Sequence, residues 1–592
     1  MLRGVDLTFN ARCRPGRSAV VLELESAQVA QYSLVDRRGR RWPPWPRVGL
    51  RPALICNPMN SSPRDKSDVD RLAAPRESGA VLIWPSADTL AGLAEENRRR
   101  RAGWTIRWPG GVAPAIEGPP AIATGHQPEL IHPGVWIKHV MAGRLTARLG
   151  GTATFVVVDS DLIDGVGWAV PQRVNDRWTV RRGAAFAARG LSFEQVPPRT
   201  DAQWRDWLAA AEWGGGNSDD ASGWARFCSA FVAVDPAGGD GHSELSTGMD
   251  YVTRWSAGVR AVDRAVGVET PPFVRVSEIF GGPGRPMRAD AAAFVAQVLL
   301  GAGEFAKTYN QALADYRARR GMVGNQHPVP DLAVTTTRVE LPFWAVRGVE
   351  PRGRLIMEPT AGSDIHLYSG ERRFATLDTA ALQRDPATAL AAALGENLLR
   401  PRALALTMFL RLLACDLFIH GIGGAKYDQI SDAIIRDYFR VVPPPFACVT
   451  ATALLPLGET PILTAVEDLR AARRRLRQAV HHPRSLLTES QAGESIVAGL
   501  LSRWGQAVSD SQRYAASSPK DRVARRGAYL AVQAARAEFA RACPHLTADA
   551  QQAIAVAERA VADSRVTGSR EWFVGLYPLA QLRALAERAA IP

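Results

Sequence analysis

Lysine is scarce in this chain. Of 72 basic residues only five are lysines (Lys66, Lys138, Lys307, Lys426 and Lys520), and the rest are arginines. Such a bias is compositional, and it makes each lysine informative about where a compact, flexible point charge has been kept. Cysteine is scarce too. Cys13, Cys56, Cys228, Cys415, Cys448 and Cys543 are widely scattered with no CxxC pair. That spacing excludes a zinc ribbon and a disulfide framework, and it fits reduced thiols in a cytoplasm. No apolar run reaches bilayer length: the best, ALALTMFLRLLACDLFIHGIGG, is interrupted by Arg411 and Asp416. The opening MLRGVDLTFNARCRPG lacks an apolar h-region and a small-residue cleavage site, so neither a secretory signal nor a membrane partner is expected. Despite a net charge of +13, a basic tail and a basic stripe interleaved with aromatics are both missing. The arginines are spread along the chain beside glutamates and aspartates, which argues against nucleic acid as a partner.

What is present is ordinary core material. Hydrophobic residues at 46% and charged residues at 22% are those of a globular protein, and 592 residues suffice for several domains. Residues 1–120 read as an N-terminal α/β extension. In it SAVVLELES alternates like a strand, RRWPPWPRVG is a loop, and AVLIWPSADTLAGLAEENRRRR reads strand, turn and helix with Ser86 or Asp88 as cap. Residues 121–458 carry the pattern of a parallel sheet. AIAT leads into a loop, VWIKHVMAGRLTARL has helical spacing ended by Gly150-Gly151, and TATFVVVDSDLID is a continuous run suited to a buried parallel strand. Further on, PPFVRVSEIFGG holds a strand, one alanine-rich helix is expected over 289–318, and ELPFWAVRG with RGRLIMEP reads as a hairpin. RALALTMFLRLLACD is a buried helix feeding LFIHGIGG and a second helix. From 459 to 592 alanine, arginine and glutamate dominate, and Val466, Leu469, Leu476 and Val480 follow coiled-coil spacing broken by Arg473.

Two loops carry the candidate chemistry. The first, IATGHQPELIHPGVWIKH, places Thr124, Gly125, His126, Gln127 and His132 between a strand end and a helix that begins near Gly134 and carries Trp136 and Lys138. Helix N-termini after strands favour anions, and histidine with lysine can steady a phosphate during transfer. The competing reading makes His126 a strand cap and leaves His132 solvated. The second loop, FIHGIGGAKYD, repeats the arrangement with His420, Gly421, Gly423, Gly424, Lys426 and Tyr427, or is a tight turn with a solvated lysine. Asp159 and Asp161, at the end of the buried strand, suit a ribose hydroxyl, a substrate ammonium or Mg²⁺, whereas Asp164 reads as a turn acid. Arg352 and Arg354 read as surface arginines that could also hold a carboxylate. No HExxH motif or cysteine cluster is present, so no resident metal is expected.

These residues, taken together, resemble the bacillithiol biosynthesis cysteine-adding enzymes. That family's TGQQ, short loop, Gly-Pro pair, aromatic and lysine-bearing helix are matched here by Thr124-Gly125-His126-Gln127, Pro133-Gly134, Trp136 and Lys138. Its acidic strand end is partly matched by Asp159-Ser160-Asp161, and its LxRP and GGxxxxY blocks by LLRPRAL and GIGGAKY. The terminal SREWFVGLYPLAQL is similar to the family's last helix. The resemblance implies a Rossmann-like core with inserted connecting segments, a C-terminal helical coiled-coil arm and homodimerisation through it. It also implies a pocket for ATP or ADP, and ligation of an amino acid to an amine or amino-sugar. On that comparison His126, His132, Asp159 and Asp161 are the catalytic candidates, and the remaining loop residues bind nucleotide. The departures are His126 in place of glutamine, the lost histidine of the acidic motif, and the extra residues 1–120. They leave open the alternative of a non-catalytic dimeric scaffold that keeps the fold.

Overall fold

The computed structural model describes residues 66–590, apart from 115, 117, 164–165, 187–189, 212, 214–222, 234–248, 283, 459–461 and 518–519. The expected SAVVLELES strand and RRWPPWPRVG loop lie outside the described residues, as does Asp164. Thirteen strands are described: β1 (Val81–Trp84), β2 (Ala121–His126), β3 (Thr152–Val157), β4 (Val166–Val174), β5 (Arg177–Phe186), β6 (Phe273–Arg275), β7 (Val339–Val346), β8 (Gly353–Pro359), β9 (Asp364–Ser369), β10 (Arg372–Asp378), β11 (Leu398–Pro401), β12 (Leu417–His420) and β13 (Ala447–Ala451).

Six of them form one sheet in the order β1-β13-β12-β2-β3-β6. All neighbours are parallel except β1, which runs antiparallel to β13 with Val81 opposite Ala451. The chain therefore moves outward from β2 through β3 to β6, then returns to lay β12 and β13 on the other side of β2. The direction reverses between β2 and β12, and such a reversal opens a crevice beyond the carboxyl ends of the two strands.

Alternate residues of each strand face opposite layers, as the pleat requires. Ile122, Phe155, Leu417, Ile419 and Val449 pack against Trp136, Val140 and Met141 of the Pro133–Leu149 helix and Leu582 of the Leu579–Arg588 helix. Ala123, Val156 and Phe418 face Ile430 and Ile434 of the Ile422–Asp437 helix. Each such fully buried aliphatic or aromatic side chain contributes roughly 1.5–3 kcal/mol. The run TATFVVV is continuous because β3 is covered on both faces.

The first inserted segment, between β3 and β6, carries the β4–β5 hairpin and, among the described residues, three α-helices. The second, between β6 and β12, carries a five-stranded antiparallel sheet, β10-β9-β8-β7-β11, which contains the expected β7–β8 hairpin. The single helix expected over 289–318 is two, Ala289–Leu300 and Ala302–Arg319, bent by 89° at Gly301. Tyr438 fills the space a side chain at Gly301 would need, so the break is built around that ring. No single described helix is long and apolar enough to cross a membrane.

The boundary expected at residue 120 does not fall at a seam. β1 is an edge strand of the main sheet, and Asn97 of the Leu90–Ala102 helix donates to the Asp416 and Pro445 carbonyls beside it. Thr89 is the helix N-cap, in place of Ser86 or Asp88, though no side chain caps it; its hydroxyl donates to the Ser86 carbonyl at 2.7 Å. After β13 the structure is helical. Ile462–His481 packs along Pro544–Thr567 through Ala465, Leu469, Ala557 and Val561. Ser495–Ser517 packs along Arg522–Ala542 through Trp504 and Phe539. Arg473, which breaks the apolar spacing, pairs with Glu558 at 3.1 Å.

Candidate functional site

The switch point of the sheet lies where β2 ends at His126 and β12 at His420, and the crevice that topology implies is bounded by those two strand ends. Thr124, wholly buried, donates its hydroxyl to the Ile419 carbonyl at 2.8 Å and so stitches β2 to β12. Gly125 is glycine because a Cβ there would meet the Val156 carbonyl oxygen at 2.5 Å. Its own carbonyl accepts from Lys138 Nζ at 2.7 Å. Lys138 projects from the second turn of the Pro133–Leu149 helix, is 4% exposed, and has no carboxylate at ion-pair distance among the described residues. Burial lowers its ammonium to about 8. A buried cation without a counter-ion is expensive unless something else supplies negative charge.

His126 is held neutral, lowered to about 4 by burial first and by Lys138 second. Its Nδ1 lies 3.1 Å from the Gln127 carbonyl, which can only accept, so Nδ1 carries the hydrogen and Nε2 is left as an acceptor. This makes His126 a proton acceptor and removes the expected role of donor to a phosphate. Gln127 Nε2 donates to Asp161 Oδ2 at 2.9 Å, and Asp161 Oδ1 pairs with Arg352 Nη2 at 3.0 Å.

His132 does different work from the solvated residue or catalyst expected. Its Nδ1 accepts from the Gly134 amide at 3.0 Å as the helix N-cap, and its Nε2 lies 3.2 Å from Glu571 Oε2. Both ring nitrogens are spent. Burial, then Arg570, lowers it to about 3. Gly134 does not open the loop to phosphate either. A Cβ there would strike Arg570 Nη2 and come within 2.7 Å of Thr450 Oγ1, so the notch is filled by the Arg570 guanidinium. Arg570 Nη2 donates to Thr450 Oγ1 at 2.9 Å, and burial holds this arginine below its usual value. A guanidinium at the positive end of a helix, near Lys138, concentrates positive charge. Trp136 is a core residue: its indole N–H donates to Asp263 Oδ1 at 2.7 Å with the ring wholly buried.

Asp159 is also structural. Buried completely, it accepts from the Ser277 amide at 3.1 Å and from the Ser277 hydroxyl, tying β3 to the segment after β6. Burial and then Glu194 raise its carboxyl to about 6. Asp161 keeps 38% of its side chain exposed and remains available at the rim.

In the second loop the helix begins at Ile422, so Gly423 and Gly424 form its exposed first turn and Gly421 is a cap without a side-chain bond. A Cβ on Gly424 would meet His420 Nδ1 at 2.7 Å. His420 itself is buried, with Nε2 on Asp428 Oδ2 at 2.9 Å, and Asp428 in turn holds Arg411 at 2.6 Å. Arg411 and then His420, outweighing burial, hold Asp428 at about 2. His420 therefore belongs to a buried charge network. Lys426 is half-buried, and it and Lys138 both act electrostatically on Cys448, near the start of β13 and level with His420. Tyr427 is 46% exposed and interacts with Arg320, away from them.

Sequence reasoning singled out His126, Lys138 and Asp161, of which the last two both act on the His126 imidazole, and missed Arg570. Its signal is visible only in three dimensions, in the glycine at 134 that makes room for it. A groove of about 700 Å³ lined by Ala225, Arg226, Ala261, Arg264 and Arg583 lies on the helices of the first inserted segment and the last helix, away from this chemistry. No cluster of three metal-ligating side chains occurs among the described residues. No protein-family model matches the chain, and no curated protein matches it.

Proposed function

We propose that the crevice binds the phosphates of a nucleotide, ATP or ADP, and that the chain is a carbon–nitrogen ligase of the bacillithiol-ligase type on a Rossmann-like core. The observation that carries the reading is Lys138: a buried ammonium without a carboxylate, on the helix whose N-terminal turn the Arg570 guanidinium packs against. Three positive features with no buried acid among them are what a phosphate group neutralises. The strand order supports the same reading, since the reversal between β2 and β12 is where such sheets hold their ligands.

In this reading Lys138 and Arg570 grip the phosphate, with Lys426 as a second clamp. An amine, that of an amino acid or amino-sugar, attacks an acyl phosphate made from the carboxylate and ATP: the C–N bond forms, the acyl C–O bond breaks, phosphate leaves into the Lys138–Arg570 grip, and His126 Nε2 accepts the proton the amine sheds. Asp161, exposed at the rim, orients the ammonium before the transfer. Mg²⁺ fits the residues poorly. Asp159 is spent on Ser277, and Asp161 alone, already accepting from Gln127 and Arg352, does not make a cation site, so no step is routed through a metal. Pairing of two chains through the helical arm, in coiled-coil fashion, belongs to the same proposal. Val523, Tyr529 and Leu530 are 83%, 58% and 55% exposed on one of its helices.

Calorimetry with ATP, ADP and pyrophosphate tests the claim. Binding that disappears in Lys138→Met is the expected result. Absence of heat from all three ligands at millimolar concentration defeats the reading.

A further inference from the structure

The antiparallel sheet of the second inserted segment turns one face toward the crevice, and that face is crowded with arginine. Trp344 on β7 stands directly opposite Arg354 on β8 and Arg400 on β11. Arg352 and Arg402, each two residues from these and just beyond the end of its strand, both place a guanidinium carbon 4.3 Å from the centre of the Trp344 ring. An indole flanked by two cations is a rigid platform, and its π-face attracts both. Arg352 also joins this wall to the segment that follows β3, through Ser160 and Asp161.

The charges do not balance. Arg400 is matched by Glu194 at 2.8 Å and Arg352 by Asp161 at 3.0 Å. Arg402 and Arg354 share one carboxylate, Glu340, at 2.8 and 3.3 Å. Four guanidiniums thus face three carboxylates. Arg352 and Arg402 are 8% and 10% exposed, and their Nε atoms make no hydrogen bond. Guanidinium donors left short of acceptors cost stability in a buried setting, and a carboxylate supplies both the charge and the planar, two-oxygen geometry they match. Arg354, 53% exposed, and the half-buried Trp344 give a ligand its way in.

We propose that Trp344, Arg352, Arg354 and Arg402 form a carboxylate subsite, distinct from the Lys138–Arg570 cluster, which holds a non-reacting carboxylate of the substrate. The inference rests on the ligase reading and sharpens it, because the substrate is then an organic acid that keeps a free carboxylate while another group reacts. Asp161 lies between the two subsites, hydrogen-bonded toward both.

The test uses the full chain, with succinate as the carboxylate probe and pyrophosphate as the phosphate probe, both by calorimetry. The wild type is expected to bind both. Arg354→Gln, at a half-exposed position that does not threaten folding, and Arg402→Gln should each weaken succinate binding about tenfold, equivalent to about 1.4 kcal/mol, and leave pyrophosphate affinity unchanged. Succinate affinity unaltered in Arg354→Gln overturns the subsite. So does loss of both probes together, which would make the two clusters one site. A wild type that binds pyrophosphate but not succinate removes the subsite and leaves the phosphate reading standing. A wild type that binds neither removes both.

Discussion

Lys138 sets a conflict between stability and binding within one residue. Its ammonium is buried with a single backbone acceptor, so replacing it by methionine keeps the volume and removes a desolvated charge. Lys138→Met is expected to unfold at an equal or higher temperature, by up to about 1–2 kcal/mol, while losing pyrophosphate binding. Parallel thermal melts and calorimetry check this, and a variant that is both less stable and still binding refutes it. The proton linkage can be followed by pH. Because burial holds Lys138 at about 8 against an ordinary 10.5, the unfolded chain binds a proton between these values that the folded chain has released. This residue's contribution to stability therefore rises with pH across that window, whereas anion affinity falls once pH passes about 8. The histidines act on the acid side. His126 and His132 sit at about 4 and 3 against 6.5, lowered first by burial, so acidification from about 6.5 downward favours the unfolded chain. The effect is on the order of 1 kcal/mol per histidine per pH unit. Asp159, raised to about 6, opposes it between 3.8 and 6, since the folded chain holds that proton more tightly. Denaturant midpoints measured from pH 7 to 4 should fall less steeply in His126→Gln than in the wild type. An unchanged slope means the imidazole is not held neutral by its surroundings.

The Pro133–Leu149 helix shows how an element can be legible while its chemistry is not. Its apolar spacing, its start after His132 and its end at Gly150, which takes the left-handed conformation at φ 59°, all follow from sequence. What could not be read is which neighbours arrive at its N-terminus. Gly134 looks like a phosphate-binding glycine until Arg570, 436 positions along the chain, is found in the notch it leaves. His132 and Asp159 show the same limit: their partners, Glu571 and Ser277, come from distant segments. Local spacing reveals that a side chain stands at a strand end, and only tertiary packing decides whether it is already satisfied. The β2–β12 reversal likewise needs the strand order, which periodicity does not contain. Gly134→Ala is expected to destabilise by about 1–3 kcal/mol, by driving Arg570 out and pressing on the Ala451 carbonyl 2.8 Å away. The same change made in an Arg570→Gln background should cost measurably less, because one of the three obstructions, the others being Thr450 Oγ1 and the Ala451 carbonyl, is relieved. Equal costs in a urea double-mutant cycle would show that Arg570 does not fill the notch.

At the scale of the whole chain, the two cores that cover the sheet are joined to an arm with cores of its own. The outer pair of arm helices is held by Val497, Leu500, Trp504, Phe539 and Cys543, a cluster that shares no residue with those around the sheet. Regions with few contacts to the rest open independently of it. Trp504→Ala should therefore lose about 3–5 kcal/mol locally, seen as faster hydrogen exchange over residues 487–546, while protection of β2, β3 and β12 is retained. The same outer helices carry the exposed apolar residues. Val523 and Leu530 are seven positions apart, hence on one helix face, and Ile496, 75% exposed, lies on the neighbouring helix. Large apolar side chains left in water on a long helix favour burial against a second copy. Sedimentation of the wild type should show a dimer that Val523→Asp with Leu530→Asp converts to monomer, with the melting of the sheet-bearing core unchanged. A wild type that stays monomeric at all concentrations rules out pairing through this face. If the dimer survives both substitutions, the contact lies elsewhere on the molecule.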